Sequence, residues 1–300
     1  MHSMSLVSFT KIKNNNTRQA ILSALDLINY TFPKDAQNIV IKANMCYYWD
    51  YSTGQTTDPK FIGILIDMIR EAISPNVNIS IVESDASAMK CKYVFKFLGF
   101  EKLSRDYGVK LVNLSQDVCE PLDVTVKGQS FRFMIPNTIK NSDLRLNVTK
   151  IKYSIEEVKV TCALKNIFGC NPYQKKYLYH PRINETIVAL NKVMPFDLCL
   201  IDGNIVYGMK ARKLGLIMAS KDPVAVDAAA SEIAGVNPNT IGHIRLASEE
   251  HLGSMKFIPM GLPLKYFKYQ YPRKNLRKML TGKAFDLVIM LKLGKRLGLE

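Results

Sequence analysis

Short runs of apolar and β-branched residues alternate with helical segments along this chain, and this alternation limits the possible folds more than any other feature. The runs "NIVIKAN" (38–44), "VNISIVES" (77–84) and "GVKLVNLS" (108–115) have the length and composition of buried strands. The first intervening helix is predicted to begin at Pro59, with Asp58 as its N-cap. Strands that alternate with helices pair in parallel through right-handed crossovers, so the pattern predicts an α/β fold.

The second half of the chain adds less regular elements. "DVTVKGQSFRFMIP" (123–136) is predicted to form a hairpin with its turn at 127–129. Further strands are predicted over 143–152, 196–204 and 214–220, and further helices over 86–98, 183–193 and 221–235. The predicted fold class is α/β: an open, mostly parallel sheet flanked by helices, with an inserted antiparallel hairpin and a basic C-terminal helical tail. The predicted parts are a lead-in over 1–37, an α/β domain over 38–260 and a basic amphipathic tail over 261–300.

Composition and charge narrow the classes of function. A hydrophobic share of 47% and a charged share of 22% are typical of a globular protein. No apolar run reaches the roughly 18 residues of a membrane span, and no signal-peptide pattern is found, which predicts a cytoplasmic protein. The net charge of +15 favours acidic or phosphorylated partners, and basic residues are concentrated from Lys265 onward.

The six cysteines do not predict a cofactor. They are Cys46, Cys91, Cys119, Cys162, Cys170 and Cys199. None forms a Cys-x-x-Cys pair, so their spacing does not support an iron–sulfur cluster, and we expect reduced thiols. Whether a metal or an organic cofactor binds is left open.

Basic and polar side chains follow several strands at the point where each strand ends. In an open parallel sheet, ligands bind at the carboxyl ends of the strands. The residues interpreted as ligand-binding are Lys42, Asn44, Lys150, Lys152 and Asn166, and those interpreted as catalytic are Lys165, His180 and Asp202. Helix N-termini flank the same edge, and their free N–H groups attract anions. The pattern predicts a site for a small anionic ligand such as a carboxylate or a phosphate.

Each of these residues also has a purely structural interpretation. Lys165 interrupts an apolar run, so its ammonium group either reaches water past a buried stem or is held at a site. Lys42 can extend to solvent from its strand end. Lys150 and Lys152 are expected on the same face of a strand, where one could bind a ligand while the other pairs with a carboxylate. His180 can be an ordinary polar residue.

Three further aspartates have structural interpretations of their own. Asp58 and Asp222 are predicted to be helix caps. Asp227 lies in an alanine-rich helix, where an unpaired buried carboxylate would be costly, so it is expected to bind a lysine or backbone groups.

Several short motifs, in the same order, resemble the domain of unknown function 362 family. They are "KAN" (42–44), "TDP" (57–59), "ESDA" (83–86), "VTKIK" (148–152), "VTCALKNIFG" (160–169), "KKYLYH" (175–180), "LIDGN" (200–204) and "ASKDPVAVDAAASEIAG" (219–235). The resemblance extends from about Asn38 to Gly253 and implies an α/β protein of a kind often associated with iron–sulfur clusters. This chain lacks a cluster-binding cysteine run, and Tyr153-Ser154 replace the family's usual Thr-His after Lys-x-Lys.

The family's order of histidine, lysine and histidine is similar to that of the nickel-pincer lactate racemases. This similarity implies that Lys165 attaches a cofactor and that His180 is a metal ligand or a base. Ser154 then stands in the place of the missing histidine.

Two hypotheses of function follow. The first is an enzyme in which a lysine-rich pocket binds a small acidic substrate or cofactor, His180 acts as an acid or base, and Asp202 orients it or binds a metal. The alternative is a non-catalytic binding or scaffold protein attached through residues 262–300 to an anionic membrane surface or, as a second choice, to nucleic acid. A tail helix packed on the body is the structural interpretation of the same segment.

Overall fold

The computed structural model describes residues 4–154 and 158–273, which form twelve strands and ten α-helices. The strands are β1 (Ser5–Lys11), β2 (Asn38–Ala43), β3 (Asn78–Glu83), β4 (Lys110–Asn113), β5 (Cys119–Val126), β6 (Gln129–Pro136), β7 (Leu144–Thr149), β8 (Lys152–Tyr153), β9 (Val160–Thr161), β10 (Leu198–Tyr207), β11 (Ala211–Ser220) and β12 (Phe257–Gly261). The helices are α1 (Thr17–Asp26), α2 (Pro59–Ala72), α3 (Cys91–Phe97), α4 (Phe100–Tyr107), α5 (Asn137–Lys140), α6 (Ala163–Asn166), α7 (Ile183–Val193), α8 (Pro223–Ala234), α9 (Gly242–Glu249) and α10 (Leu264–Lys268).

Ten of these strands form one mostly parallel sheet. Its order is β12-β1-β11-β10-β7-β2-β3-β4, and β8 and β9 attach beside β10. The neighbours from β10 through β7, β2 and β3 to β4 pair in parallel, whereas β11 pairs antiparallel with both β10 and β1. The predicted α/β class with a mostly parallel sheet is therefore confirmed.

The inserted hairpin is also confirmed. Strands β5 and β6 pair antiparallel in a separate two-stranded sheet. Their connection is Lys127-Gly128, and both residues have positive φ, 50° and 71°. Two consecutive left-handed residues are typical of the tight turn that matches the twist of a hairpin.

Helices cover both faces of the large sheet, and alternation along the strands assigns side chains to each face. In β2, Ile39 and Ile41 pack with α1, α2 and α4 residues in one core cluster, whereas Val40 packs in the other cluster with α7, α8 and α9 residues. A strand that is buried on both faces carries a continuous apolar run, which explains the composition of β2.

Cap residues set the starts of α2 and α8. The side chain of Asp58 accepts a hydrogen bond from the N–H of Lys60 at the start of α2. Asp222 accepts hydrogen bonds from two N–H groups in the first turn of α8, and Gly235 ends that helix with φ of 78°. The predicted capping roles are confirmed, and Pro at the first helical position reinforces both starts.

Local differences from the sequence predictions have identifiable causes. The predicted strand over 143–152 is divided into β7, which ends at Thr149, and β8, which begins at Lys152. Strand β7 pairs with the first residues of β10, whereas β8 pairs with Tyr207 at the end of the same strand. The second predicted helix begins at Cys91 rather than 86, because a backbone bridge joins Ala86 and Met89. The predicted lead-in is not separate from the domain, since β1 lies between β12 and β11 in the sheet.

The first part of the predicted tail packs on the body. Phe267 in α10 is fully buried, and the hydroxyl of Tyr271 donates to the carbonyl of Tyr207 at 2.6 Å. The rest of the predicted tail, residues 274–300, lies outside the described residues. No helix in the described part of the chain is long and apolar enough to cross a membrane.

Candidate functional site

A cavity of about 520 Å³ opens at the carboxyl ends of β2 and β3, beside α6 and the turn over Lys176–Arg182. Six residues predicted from the sequence line it: Lys42, Asn44, Lys152, Lys165, Asn166 and His180. The predicted convergence of these residues on one edge of the sheet agrees with their positions. Their individual roles remain predictions.

The single helical turn α6, which carries the predicted catalytic lysine, is anchored from three other elements. The carboxylate of Asp227 in α8 accepts hydrogen bonds from the N–H groups of Ala163 and Leu164, at 2.6 and 3.1 Å. Asn147 in β7 and Asn191 in α7 donate to the carbonyl oxygens of the same two residues, each at 2.9 Å. A four-residue helix is unstable alone, so these buried side chains fix its position.

Asp227 has its expected backbone partners, and burial still dominates its electrostatics. Desolvation raises the pKa of this carboxyl group to about 7, and the two N–H bonds oppose the rise.

A hydrogen-bonded network lies beneath the cavity. The Asn166 Oδ1 atom accepts from Lys42 Nζ at 3.3 Å and from Asn44 Nδ2 at 2.9 Å, and Asn166 Nδ2 donates to Asn147 Oδ1 at 2.8 Å. Lys42 also pairs with Glu83, with 2.8 Å between Nζ and Oε2, and both side chains are almost fully buried. The charge of Lys42 is therefore balanced by the carboxylate of Glu83 at the base of the cavity.

Glycine is required in the "NIFG" motif by close packing against this pair. A Cβ atom at Gly169 would lie 2.7 Å from the Oε1 atom of Glu83 and 2.8 Å from Cε of Lys42. Any side chain there would displace the ion pair, so the motif places its backbone directly against the base of the cavity.

Two other buried lysines have only neutral hydrogen-bond partners among the described residues. Lys152 Nζ donates to Asn44 Oδ1 and to the carbonyl of Gln55, both at 2.9 Å. Lys176 Nζ donates to the hydroxyl of Ser84. Burial lowers the pKa of both ammonium groups, opposed at Lys152 by the Cys46 thiol and at Lys176 by Glu83. No carboxylate of residues 4–154 or 158–273 is bound to either ammonium group.

Lys165 has the fewest polar contacts of the four lysines that line the cavity. Its Nζ lies 4.0 Å from the centroid of the Phe168 ring, and no hydrogen bond or ion pair reaches it from the described residues. Burial lowers its pKa to about 7, and the positive charges of Lys152 and Lys176 add to the effect. Part of the side chain is open to the cavity, so a fraction of neutral amine faces the cavity at neutral pH.

The charged groups that line the cavity are strongly unbalanced. Among the described residues that line the cavity, the ammonium groups belong to Lys42, Lys152, Lys165 and Lys176, and the carboxylate belongs to Glu83. The described part of the lining therefore carries three excess positive charges when all four lysines are protonated. Buried charges are normally paired, so this excess favours an anionic ligand.

Lys150 and Asp202 do not line this cavity, which corrects two expectations. Lys150 Nζ is bound to Asp202 Oδ2 at 3.0 Å, and both side chains are 1% exposed. Asp202 also accepts from the N–H of Asp58 at 3.0 Å. The break between β7 and β8 interrupts strand alternation, so Lys150 and Lys152 acquire different partners. Asp202 neutralises a lysine at a position away from His180.

The residues implied by the racemase similarity are only partly present. Lys165, His180 and Ser154 all line the cavity, but a serine cannot supply the imidazole of the missing histidine. Within residues 4–154 and 158–273, no group of three or more His, Cys, Asp or Glu side chains could hold a metal ion. The set is incomplete for that cofactor, and the function proposed below does not depend on it.

Sequence reasoning missed several lining residues. Lys176 lies in the quoted motif "KKYLYH" and Glu83 in "ESDA", but neither residue is predicted from the sequence to be part of a site. Tyr47 and Trp49 lie in the loop after β2, where no periodicity indicates which side chains face a cavity.

The fold and the cavity define an α/β protein with a cationic pocket at the carboxyl edge of its sheet. The chain matches the family described as "Domain of unknown function (DUF362)" over residues 39–232, and it belongs to that family. The predicted family resemblance is thus confirmed.

Two similar proteins add context. The chain is 30% identical over 126 residues to "Thylakoid-associated protein sll1697" of Synechocystis sp., and this match covers 38% of each protein. The lactate racemase apoprotein from Thermoanaerobacterium thermosaccharolyticum has a TM-score of 0.52 and 13% identity, over 77% of this chain and 57% of that one. At this identity the likeness concerns the fold alone.

Proposed function

We propose that the protein is an enzyme that binds a small organic anion in the cavity and uses the Lys165 amine in its reaction. The observation that carries this proposal is the excess of ammonium groups over carboxylates in the cavity lining. Within the described part of the chain, the hydrogen-bond partners of Lys152 and Lys176 are neutral, so a bound anion would supply negative charge beside them.

Lys165 differs chemically from an ordinary surface lysine. With a pKa of about 7, a large fraction of its amine is unprotonated at neutral pH. An unprotonated amine can take a proton from a bound acid or attack a carbonyl carbon, while neighbouring ammonium groups hold the anionic part of the ligand. His180, which is exposed at the same cavity, is proposed to exchange protons with solvent.

The solved neighbour is compatible with this ligand class. That protein is named a lactate racemase, and lactate is a small carboxylate. Because the likeness is one of fold, it assigns neither a ligand nor a reaction to this chain.

The proposal is tested by trapping Lys165 with glyoxylate, a small anionic aldehyde, at pH 7. The amine adds to the aldehyde carbon, water leaves, and borohydride reduces the resulting C=N bond to a stable secondary amine. Peptide mass mapping should find Lys165 as the lysine labelled first, and excess acetate should slow this labelling. Lys165→Met should remove the fast labelling phase.

A matched control separates the site from overall charge. Lys102→Met removes the same charge from an ammonium group whose side chain is 74% exposed, and it should leave the labelling of Lys165 unchanged. Labelling distributed evenly over exposed lysines, or insensitive to acetate, would reject the proposal.

Membrane attachment is a second candidate, favoured by the name of the thylakoid-associated relative. The proposed contact is the basic segment that begins near Leu262 and continues into residues 274–300. Because Phe267 and Tyr271 are buried in the body, a truncation should follow Arg273 and keep both residues. Co-sedimentation with anionic vesicles should be lost in the truncated protein, and equal sedimentation of the two proteins would reject this role.

A further inference from the structure

Aromatic side chains surround the mouth of the cationic cavity. Tyr47, Trp49 and Tyr177 line it with 47%, 46% and 54% of their surface exposed. The Tyr47 and Trp49 rings are in contact, with centroids 5.1 Å apart and planes at 59°. Large rings exposed to this degree contribute little to the core, and aromatic rings at a pocket entrance commonly contact ligands.

The backbone supports a specific placement of one of these rings. Tyr47 has a φ of 49°, a left-handed conformation that is rare for a bulky residue. The hydroxyl of Thr56, which donates to the carbonyl of Trp49 at 2.6 Å, accepts from the N–H of Cys46, and this pair of bonds fixes the loop. Such conformations persist where surrounding structure holds them, most often at binding sites.

The ammonium groups lie deep in the cavity, whereas the aromatic rings lie near its mouth. The ammonium-bearing residues Lys42, Lys152 and Lys176 are at most 7% exposed, whereas the rings of Tyr47 and Trp49 are about half exposed. A ligand that satisfies both surfaces has an anionic group at its inner end and a flat ring at its outer end. A cavity of about 520 Å³ is within the ~300–1,000 Å³ typical of such ligands and is larger than a two- or three-carbon acid requires.

We infer that the ligand of this cavity is an aromatic acid, whose carboxylate or phosphate group binds the inner lysines and whose ring packs against Tyr47 and Trp49. This inference rests on the proposed function and specifies its ligand class. Ring contacts of this kind contribute a few-fold to about tenfold in affinity.

Calorimetric titration with matched anions tests the inference. Phenylacetate is compared with cyclohexylacetate and acetate, and phenyl phosphate with inorganic phosphate. The phenyl compound should bind at least about fivefold more tightly than its partners in each series. Trp49 is the single tryptophan of the chain, so its fluorescence reports the same binding without interference from other indoles.

Two variants test whether the ring of the ligand binds against Trp49. Trp49→Leu should weaken phenylacetate binding about fivefold and leave acetate binding unchanged. The control Tyr93→Leu removes a ring that is 47% exposed on α3 and does not line the cavity, and it should leave both affinities unchanged.

The outcomes distinguish this inference from the proposed function. Equal affinities for phenylacetate and acetate, or for phenylacetate and cyclohexylacetate, would overturn the aromatic ligand while leaving anion binding intact. A loss of acetate and phenylacetate binding by the same factor in Trp49→Leu would assign the ring a structural role and overturn the inference. Failure of every anion to bind would overturn the proposed function as well.

Discussion

Two lysines that are two positions apart, Lys150 and Lys152, occupy opposite electrostatic environments. Both are buried, at 1% and 7% exposure. Lys150 is paired with the carboxylate of Asp202, whereas Lys152 donates to an amide oxygen and a backbone carbonyl. A buried charge that is already paired belongs to the scaffold, and a buried charge with neutral partners keeps its ability to bind an anion.

The second environment has a cost in stability that the first does not. An ammonium group without a carboxylate partner loses hydration on burial and is repelled by neighbouring cations, which is why the pKa of Lys165 is lowered to about 7. Such local costs are typical of functional sites, because a ligand relieves them on binding. The comparison therefore predicts that identical substitutions at the two lysines will have different effects.

The largest effect is expected for Lys150→Met. It leaves the carboxylate of Asp202 buried without its cation, although two backbone N–H groups still donate to it. Breaking a buried pair in this way should lower the free energy of unfolding by about 3–5 kcal/mol. Urea denaturation followed by circular dichroism measures the change, and a loss below about 1 kcal/mol would show that the pair is not what holds Asp202.

Lys152→Met is expected to show the opposite pattern, with a small effect on stability and a large effect on anion binding. The substitution removes an uncompensated charge and leaves two acceptors without a donor, so the free energy of unfolding should change by no more than about 1 kcal/mol. Acetate affinity should fall at least tenfold, because an inner ammonium group of the cavity is lost. Unchanged acetate affinity in this variant would assign Lys152 to the scaffold and remove the contrast with Lys150.

The titration of Lys165 is expected to change acetate affinity with pH, by less than the loss expected for Lys152→Met. A bound anion favours the ammonium form, so acetate affinity should fall a few-fold as pH rises through about 7, and Lys165→Met should lack this step. Calorimetry in buffers of different ionisation enthalpy should show proton uptake on binding above pH 7. A pH profile shared by wild type and Lys165→Met would assign the step to another group.

The lowered pKa of Lys165 also predicts how the free energy of unfolding depends on pH. The pKa of Lys165 is lowered in the folded protein from 10.5 to about 7. Below pH 7 both states are protonated, and the folded state carries the full penalty of the buried charge. Between about pH 7 and 10.5 the folded state releases its proton first, so the free energy of unfolding should rise with pH relative to that of Lys165→Met.

Much of the fold could be predicted because its signals are local. Asp58-Pro59 and Asp222-Pro223 identify two helix starts, and both helices begin there. The convergence of Lys42, Asn44 and Lys152 follows from a general property of parallel sheets, that ligand-binding residues come from carboxyl ends of strands.

The remaining features of the site depend on tertiary contacts. The break after Thr149 follows from pairing with β10, so periodicity could not separate Lys150 from Lys152. The bonds from Asp227 to the start of α6 join residues more than sixty positions apart. Trp49 faces the cavity because of loop hydrogen bonds, and a loop has no repeating pattern from which side-chain direction can be predicted.

The smallest effect is expected for an ion pair that is complete but exposed. Arg132 binds the carboxylate of Asp123 through two hydrogen bonds of 2.7 Å on the hairpin β5–β6, and both side chains are more than half exposed. The hydrogen bonds from Arg132 lower the pKa of Asp123, yet water and salt screen the pair, so Asp123→Asn should not measurably change the urea midpoint. A destabilisation comparable to that of Lys150→Met would mean that pairing alone, without burial, sets the contribution of a charge in this protein. The contrast between Lys150 and Lys152 would then follow from pairing alone, and their burial would play no part in it.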